Sequence, residues 1–157
     1  MKHVWAPWRM AYIGAPKQKG CILCDKPGES SDAENLILFR GKKNFVMMNL
    51  YPYNPGHLMV VPYRHLSSPE EMTKEERYDH SDIVTLCLKV LREEFNPGGI
   101  NIGVNLGRAA GAGIEDHTHT HLVPRWNGDT NFITVVGDVR VVPEAIADTY
   151  NKLKVRF

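Results

Sequence analysis

Residues 35–63 read NLILFRGKKNFVMMNLYPYNPGHLMVVPY. They hold three apolar runs, NLILFR (35–40), NFVMMN (44–49) and HLMVVPY (57–63), each short and of strand-like composition. Gly41-Lys42-Lys43 separates the first two runs at hairpin spacing, and the turn-rich YPYNPG (51–56) leads into the third. Strands that follow one another with only turns between them pair most simply as antiparallel neighbours.

Downstream the period changes from two to 3.6. Thr73-Lys74-Glu75-Glu76 has the form of a capping box, and Ile83, Cys87, Val90, Leu91 and Phe95 share one helical face before Asn96-Pro97-Gly98-Gly99 ends the helix. INIGVN (100–105), HTHTHLVP (117–124) and NFITVV (131–136) read as further strands, and a short helix near Pro143 would bury Ile146, Tyr150 and Leu153. Consecutive strands interrupted by one long helix predict an α+β fold with a mainly antiparallel sheet of about five strands. The 157 residues suit one domain: an N-terminal segment 1–34 with a loop over Asp25–Asp32, a core 35–137 and a C-terminal extension 138–157.

Several functions are excluded by composition. A net charge of +1 supplies no field for gripping a nucleic acid polymer, and no apolar run is long enough to span a membrane. MKHVWAPWRMAYI (1–13) lacks the unbroken apolar centre of a secretory signal, and three cysteines form no disulfide framework, so the expected location is the cytoplasm. What stands out is seven histidines and three cysteines, unevenly placed: His117, His119 and His121 alternate, and Cys21 and Cys24 form a C-x-x-C pair.

On a strand, alternate residues share a face, so His117, His119 and His121 would line one surface while Thr118 and Thr120 point the other way. Imidazole titrates near neutral pH and can act as nucleophile, proton donor or metal ligand. The bland alternative is an exposed strand face or an adventitious metal patch. Upstream, Asn105-Leu106-Gly107-Arg108-Ala109-Ala110-Gly111-Ala112-Gly113 has little side-chain bulk, which suits either an anion-holding concavity of backbone N–H groups or a plain connecting loop. Cys21 and Cys24 have the spacing of half a tetrahedral zinc site, with redox chemistry as the competitor. Cys87 falls on the apolar helix face as a core residue, and His3 and His80 are expected at the surface. Trp5, Trp8 and Arg9 suit packing against the sheet or an approach to a ligand, and Arg125 and Trp126 close the histidine strand.

HTHTHLVPRW (117–126) resembles the alternating-histidine signature of the histidine triad (HIT) family of nucleotide hydrolases and transferases. PGHLMVVPYRH (55–65) and NLGRAAGAGIEDH (105–117) are similar to the branch containing diadenosine tetraphosphate phosphorylases and related hydrolases. The resemblance runs from VWAPWRMAYI (4–13) to NGDTNFITVV (127–136). It implies a HIT-like fold and cleavage of a dinucleoside polyphosphate through a nucleotidyl intermediate on His119, with water or phosphate as acceptor. His121 and His57 would serve the phosphate and leaving group, Asn105, Gly111, Ala112 and Gly113 would hold phosphate oxygens, and Asn49 would meet the ribose. The resemblance also completes a structural Zn²⁺ site, Cys21, Cys24, His65 and His117, and implies a homodimer. A phosphoramidate hydrolase using the same histidines and a zinc-stabilised nucleotide-binding module are the alternatives. Two departures stand out: Thr118 and Thr120 occupy positions usually apolar in the family, and Ala112-Gly113 replaces a common Gln-Ser pair.

Overall fold

The computed structural model describes residues 20–129 and 144–157. The expectations for His3, Trp5, Trp8, Arg9 and the strand 131–136 lie outside the described residues. In chain order the elements are α1 (Ile22–Asp25), β1 (Ile37–Arg40), β2 (Asn44–Met48), β3 (Leu58–Pro62), α2 (Lys74–Phe95), β4 (Gly99–Val104), β5 (Thr120–Arg125) and α3 (Ile146–Lys154), with short 3-10 turns between some of them.

The five strands form one antiparallel sheet in the order β1-β2-β3-β5-β4. This is the α+β architecture expected, with one long helix and a short C-terminal one. β2 and β3 are buried along their whole length because both faces of the sheet are covered. On one face Val46, Met48, Leu58, Val60 and Leu122 pack against Ile83, Cys87, Val90 and Leu91 of α2 and Tyr150 and Leu153 of α3. On the other, Ile37, Phe45, Met47, Met59 and Val61 meet Leu23 of α1. Continuous apolar runs rather than strict alternation are what such two-sided burial requires.

The α2 capping box forms as read: the Thr73 hydroxyl accepts from the Glu76 N–H, and Glu76 bonds back to the Thr73 N–H. Asn96 ends the helix in the left-handed region at φ 43°. Asp79 of α2 ties this helix to the β1–β2 hairpin, its carboxylate accepting from the N–H groups of Lys43 and Asn44 and from the Asn44 side chain.

Four local expectations change. The first strand starts at Ile37, since Leu36 adopts a left-handed φ of 58° in the preceding turn. The stretch Asp25–Asp32 is not all loop, because Asp25 closes the helical turn Ile22–Asp25 and Lys26–Gly28 continues it as a 3-10 turn, closed by the Glu29 N–H on the Lys26 carbonyl. The histidine strand begins at Thr120, where the ladder to Val60 and Val104 starts, so His117–His119 precede it. His80 is half-buried rather than at the surface, bonded to Thr120 at 2.9 Å.

Candidate active site and metal centre

The register sets the site's face. Leu122 and Thr120 point toward the helices, so His121, between them and paired with Met59, points to the opposite side of the sheet. His119 sits beside it, 8% exposed, with ring centroids 4.8 Å apart in an edge-on arrangement. An open cavity of about 430 Å³ lies against this face, lined by Tyr53, Asn101, Asn105, His121, Val123 and Arg125 among others. That volume is within the range of small-ligand sites.

Hydrogen bonds assign the imidazole protons. A carbonyl can only accept, so His119 donates from Nδ1 to the His117 carbonyl at 2.9 Å and keeps the Nε2 lone pair. Burial lowers the pKa of His119 more than this bond restores it, holding the ring in the neutral, nucleophilic form. The Tyr53 N–H donates to Nδ1 of His57 at 3.0 Å, which places the His57 proton on Nε2. His57, fully buried, then donates to Nδ1 of His121 at 2.9 Å. In neutral His121 the remaining proton is on Nε2. Burial, and secondarily His119, pushes the His121 pKa down to about 4.

The flanking candidates are positioned unequally. Asn49 follows β2, its N–H bonded to the His57 carbonyl and its Oδ1 accepting from the Tyr51 N–H. Asn105 follows β4 and lines the cavity. The Gly/Ala loop is partly closed on itself: Gly111 donates its N–H to Arg108 and Ala112 donates to Gly107, with Gly107 and Gly111 at positive φ. In this conformation those two amides serve the loop's own turn. Arg108 reaches across to Glu115 at 2.9 Å.

The cavity also draws on residues that the motifs passed over. Asn101 and Val123 pair across β4 and β5, as do Gly103 and His121, and the Arg125 guanidinium bonds both Asn101 and Asp129. The alternation Asn101, Gly103, Asn105 was the available signal, but only the register aligns it with His121. Tyr53 stacks on His57 with centroids 4.8 Å apart, which its position in a turn does not announce.

Beside this site, Cys21, Cys24, His65 and His117 offer ligand atoms that all lie within 4.8 Å of one another. Each cysteine sulfur is 3.3–3.4 Å from Nδ1 of His117, and Cys24 is 3.3 Å from Nδ1 of His65. His117, fully buried, donates from Nε2 to the Pro62 carbonyl at 2.9 Å, which leaves Nδ1 as the lone-pair nitrogen turned to the sulfurs. A ligand imidazole held through its other nitrogen is the arrangement tetrahedral N/S sites use, so this donor set could hold a metal ion. A redox pair is disfavoured in the observed fold. The helical turn after Cys21 is a single turn, and both sulfurs are engaged by imidazoles.

A family model for the HIT domain matches residues 30–128. The chain belongs to the HIT family. Among curated proteins, it is 40% identical to an AP-4-A phosphorylase of Mycobacterium tuberculosis, over 95% of this chain and 80% of that protein. It is 36% identical to a bis(5'-adenosyl)-triphosphatase of Dictyostelium discoideum, over 57% of this chain and 59% of that one. Among solved structures, a Zn-bound histidine triad family protein from Mycobacterium smegmatis shares the fold with a TM-score of 0.68 at 23% identity, covering 87% of this HIT chain and 92% of that one. The diadenosine triphosphate hydrolase of Plasmodium falciparum gives a TM-score of 0.59 at 18% identity, over 77% and 73% of the two chains.

Proposed function

We propose that this HIT protein is a nucleotidyl hydrolase or transferase that cleaves dinucleoside polyphosphates of the diadenosine type through a nucleotidyl intermediate on His119. The observation that carries the reading is the proton arrangement: a buried neutral His119 that keeps its Nε2 lone pair, next to a His121 whose proton is directed onto Nε2 by His57. The names of the curated relatives support the substrate class.

In the first step Nε2 of His119 attacks the α-phosphorus. The bond from that phosphorus to the bridging oxygen breaks, and the polyphosphate departs as an anion whose leaving oxygen accepts a hydrogen bond from Nε2 of His121. In the second step an oxygen of water or inorganic phosphate attacks the same phosphorus, the phosphorus–nitrogen bond breaks to return His119 to its neutral form, and the acceptor's proton is released to solvent. Asn105 and the loop through Gly111, Ala112 and Gly113 hold phosphate oxygens, which requires Gly111 and Ala112 to release their turn bonds when substrate binds. Asn49 meets the ribose.

Cys21, Cys24, His65 and His117 hold a structural Zn²⁺ that anchors the N-terminal segment to the residues preceding β5 and takes no part in bond making. Among the described residues no helix is long and apolar enough to cross a membrane. A cytoplasmic homodimer is the proposed form.

Incubation with diadenosine tetraphosphate, with and without inorganic phosphate, tests the reading. The expected products are ATP and ADP with phosphate as acceptor, or ATP and AMP with water. Binding without cleavage under both conditions overturns it in favour of a nucleotide-binding module.

A further inference from the structure

The long helix α2 reaches the histidine segment through one side-chain hydrogen bond. Nε2 of His80 lies 2.9 Å from Oγ1 of Thr120, the residue between His119 and His121. Glu76, His80, Ile83 and Cys87 recur at spacings of four, three and four, so His80 belongs to the inward stripe of α2, and it is half-buried there.

Thr120 is 7% exposed and is the first residue of β5 to pair with both neighbours, Val60 and Val104. The two preceding residues lie outside the ladder, where the Thr118 N–H bonds instead to the Leu66 carbonyl at 2.6 Å. On its site side His119 bonds to the His117 carbonyl. On the helix side, the link to His80 is attached at the very next residue. The neighbouring hydroxyl makes an informative contrast: Oγ1 of Thr118 is buried with no hydrogen-bond partner among the described residues. Threonine hydroxyls on this stretch are therefore not generally matched, and the one adjoining both His119 and His121 is.

We propose that His80 is a positioning residue: through Thr120 it fixes the backbone between His119 and His121, and with it the distance and angle of the two rings. An imidazole and a hydroxyl replace the apolar packing that would otherwise back this strand, and a directional bond fixes register and tilt where apolar contact fixes only spacing. His80 touches no substrate on this view. The proposal rests on the active-site reading above, and its test separates the two.

Three substitutions are compared with the wild type: Thr120→Val, His80→Leu and His80→Gln, the last keeping a polar group of similar reach. The expected result is that T120V and H80L each slow formation of the nucleotidyl-protein intermediate roughly three- to tenfold with KM little changed, as small misplacements of reacting groups do. The double variant H80L/T120V should be no slower than either single one, since both break the same link, and H80Q should recover most of the rate. Wild-type rates in T120V and H80L, or multiplied losses in the double variant, would overturn the proposal.

A readout independent of turnover is the long-range ¹H–¹⁵N spectrum of the imidazoles. In T120V the nitrogen resonances of His119 and His121 should shift while those of His65 stay in place. Unmoved His119 and His121 resonances would sink the proposal whether or not the wild type cleaves nucleotides. Shifted resonances in a protein without turnover would instead uphold it and refute the catalytic reading.

Discussion

His57 donates from Nε2 to Nδ1 of His121 at 2.9 Å, and a backbone N–H from Tyr53 holds the opposite nitrogen of His57. Because an N–H can only donate, this chain has one proton order, and it ends with the His121 proton on the nitrogen available to a leaving group. Replacing His57 by Phe keeps the ring's bulk and loses the order. We expect kcat to fall about 10- to 100-fold with a smaller change in KM, measured by single-turnover release of the leaving nucleotide.

His119 has a different dependence. With His119→Ala the nucleophile is gone while the cavity remains, so turnover should drop by at least ~10³-fold and nucleotide affinity should persist. Intact-mass measurement after rapid quenching should show a nucleotidyl adduct on the wild type and none on the variant. Retained turnover in H119A would exclude the covalent route.

Acid should destabilise the fold through its buried histidines. The His121 pKa is held near 4 against an ordinary 6.5, and burial moves those of His80 and His119 in the same direction. The unfolded chain therefore binds protons first as pH falls. The stability that these neutral rings contribute is complete above about pH 6.5 and is lost progressively toward pH 4. Urea midpoints measured across this window should decline, and less steeply in His121→Asn.

The metal centre has two independent readouts. Purified protein should carry about one zinc per chain, and Cys21→Ser should lower that content and the Tm together, since ligand loss and loss of folding energy are linked at structural zinc sites. Chelation should reproduce the Tm change in the wild type. Full zinc content in C21S would remove Cys21 from the site.

Gly41 tests the hairpin contact with α2. A Cβ at this position would stand 2.5 Å from Cδ1 of Ile83 and 2.7 Å from the Asn44 carbonyl oxygen. The backbone oxygen is fixed by the hairpin and Ile83 by the core, so Gly41→Ala should cost about 1–3 kcal/mol. A lower urea midpoint with unchanged slope would register it.

The sequence by itself determined the order of elements, because that information is local. The capping box at Thr73, the apolar stripe from Ile83 to Leu91 and the short apolar runs around Phe45 and Val60 are properties of neighbouring residues, and each formed close to where it was read. The alternating histidines, the P-G-H segment and the C-x-x-C pair were legible too, as chemistry looking for a geometry. Only the tertiary structure decided how these residues divide their work. His117 and His119 are two residues apart, yet one ring turns to the cysteines of the N-terminal segment and the other lies beside His121, because β5 does not begin until Thr120. The same holds for His80, which reads as a surface residue until α2 lies across the sheet and brings it to Thr120, 40 residues away. Residue types and spacing are written along the chain, whereas proton positions and partners across the sheet depend on contacts distant in sequence, which exist only once the sheet is paired and its helices are packed.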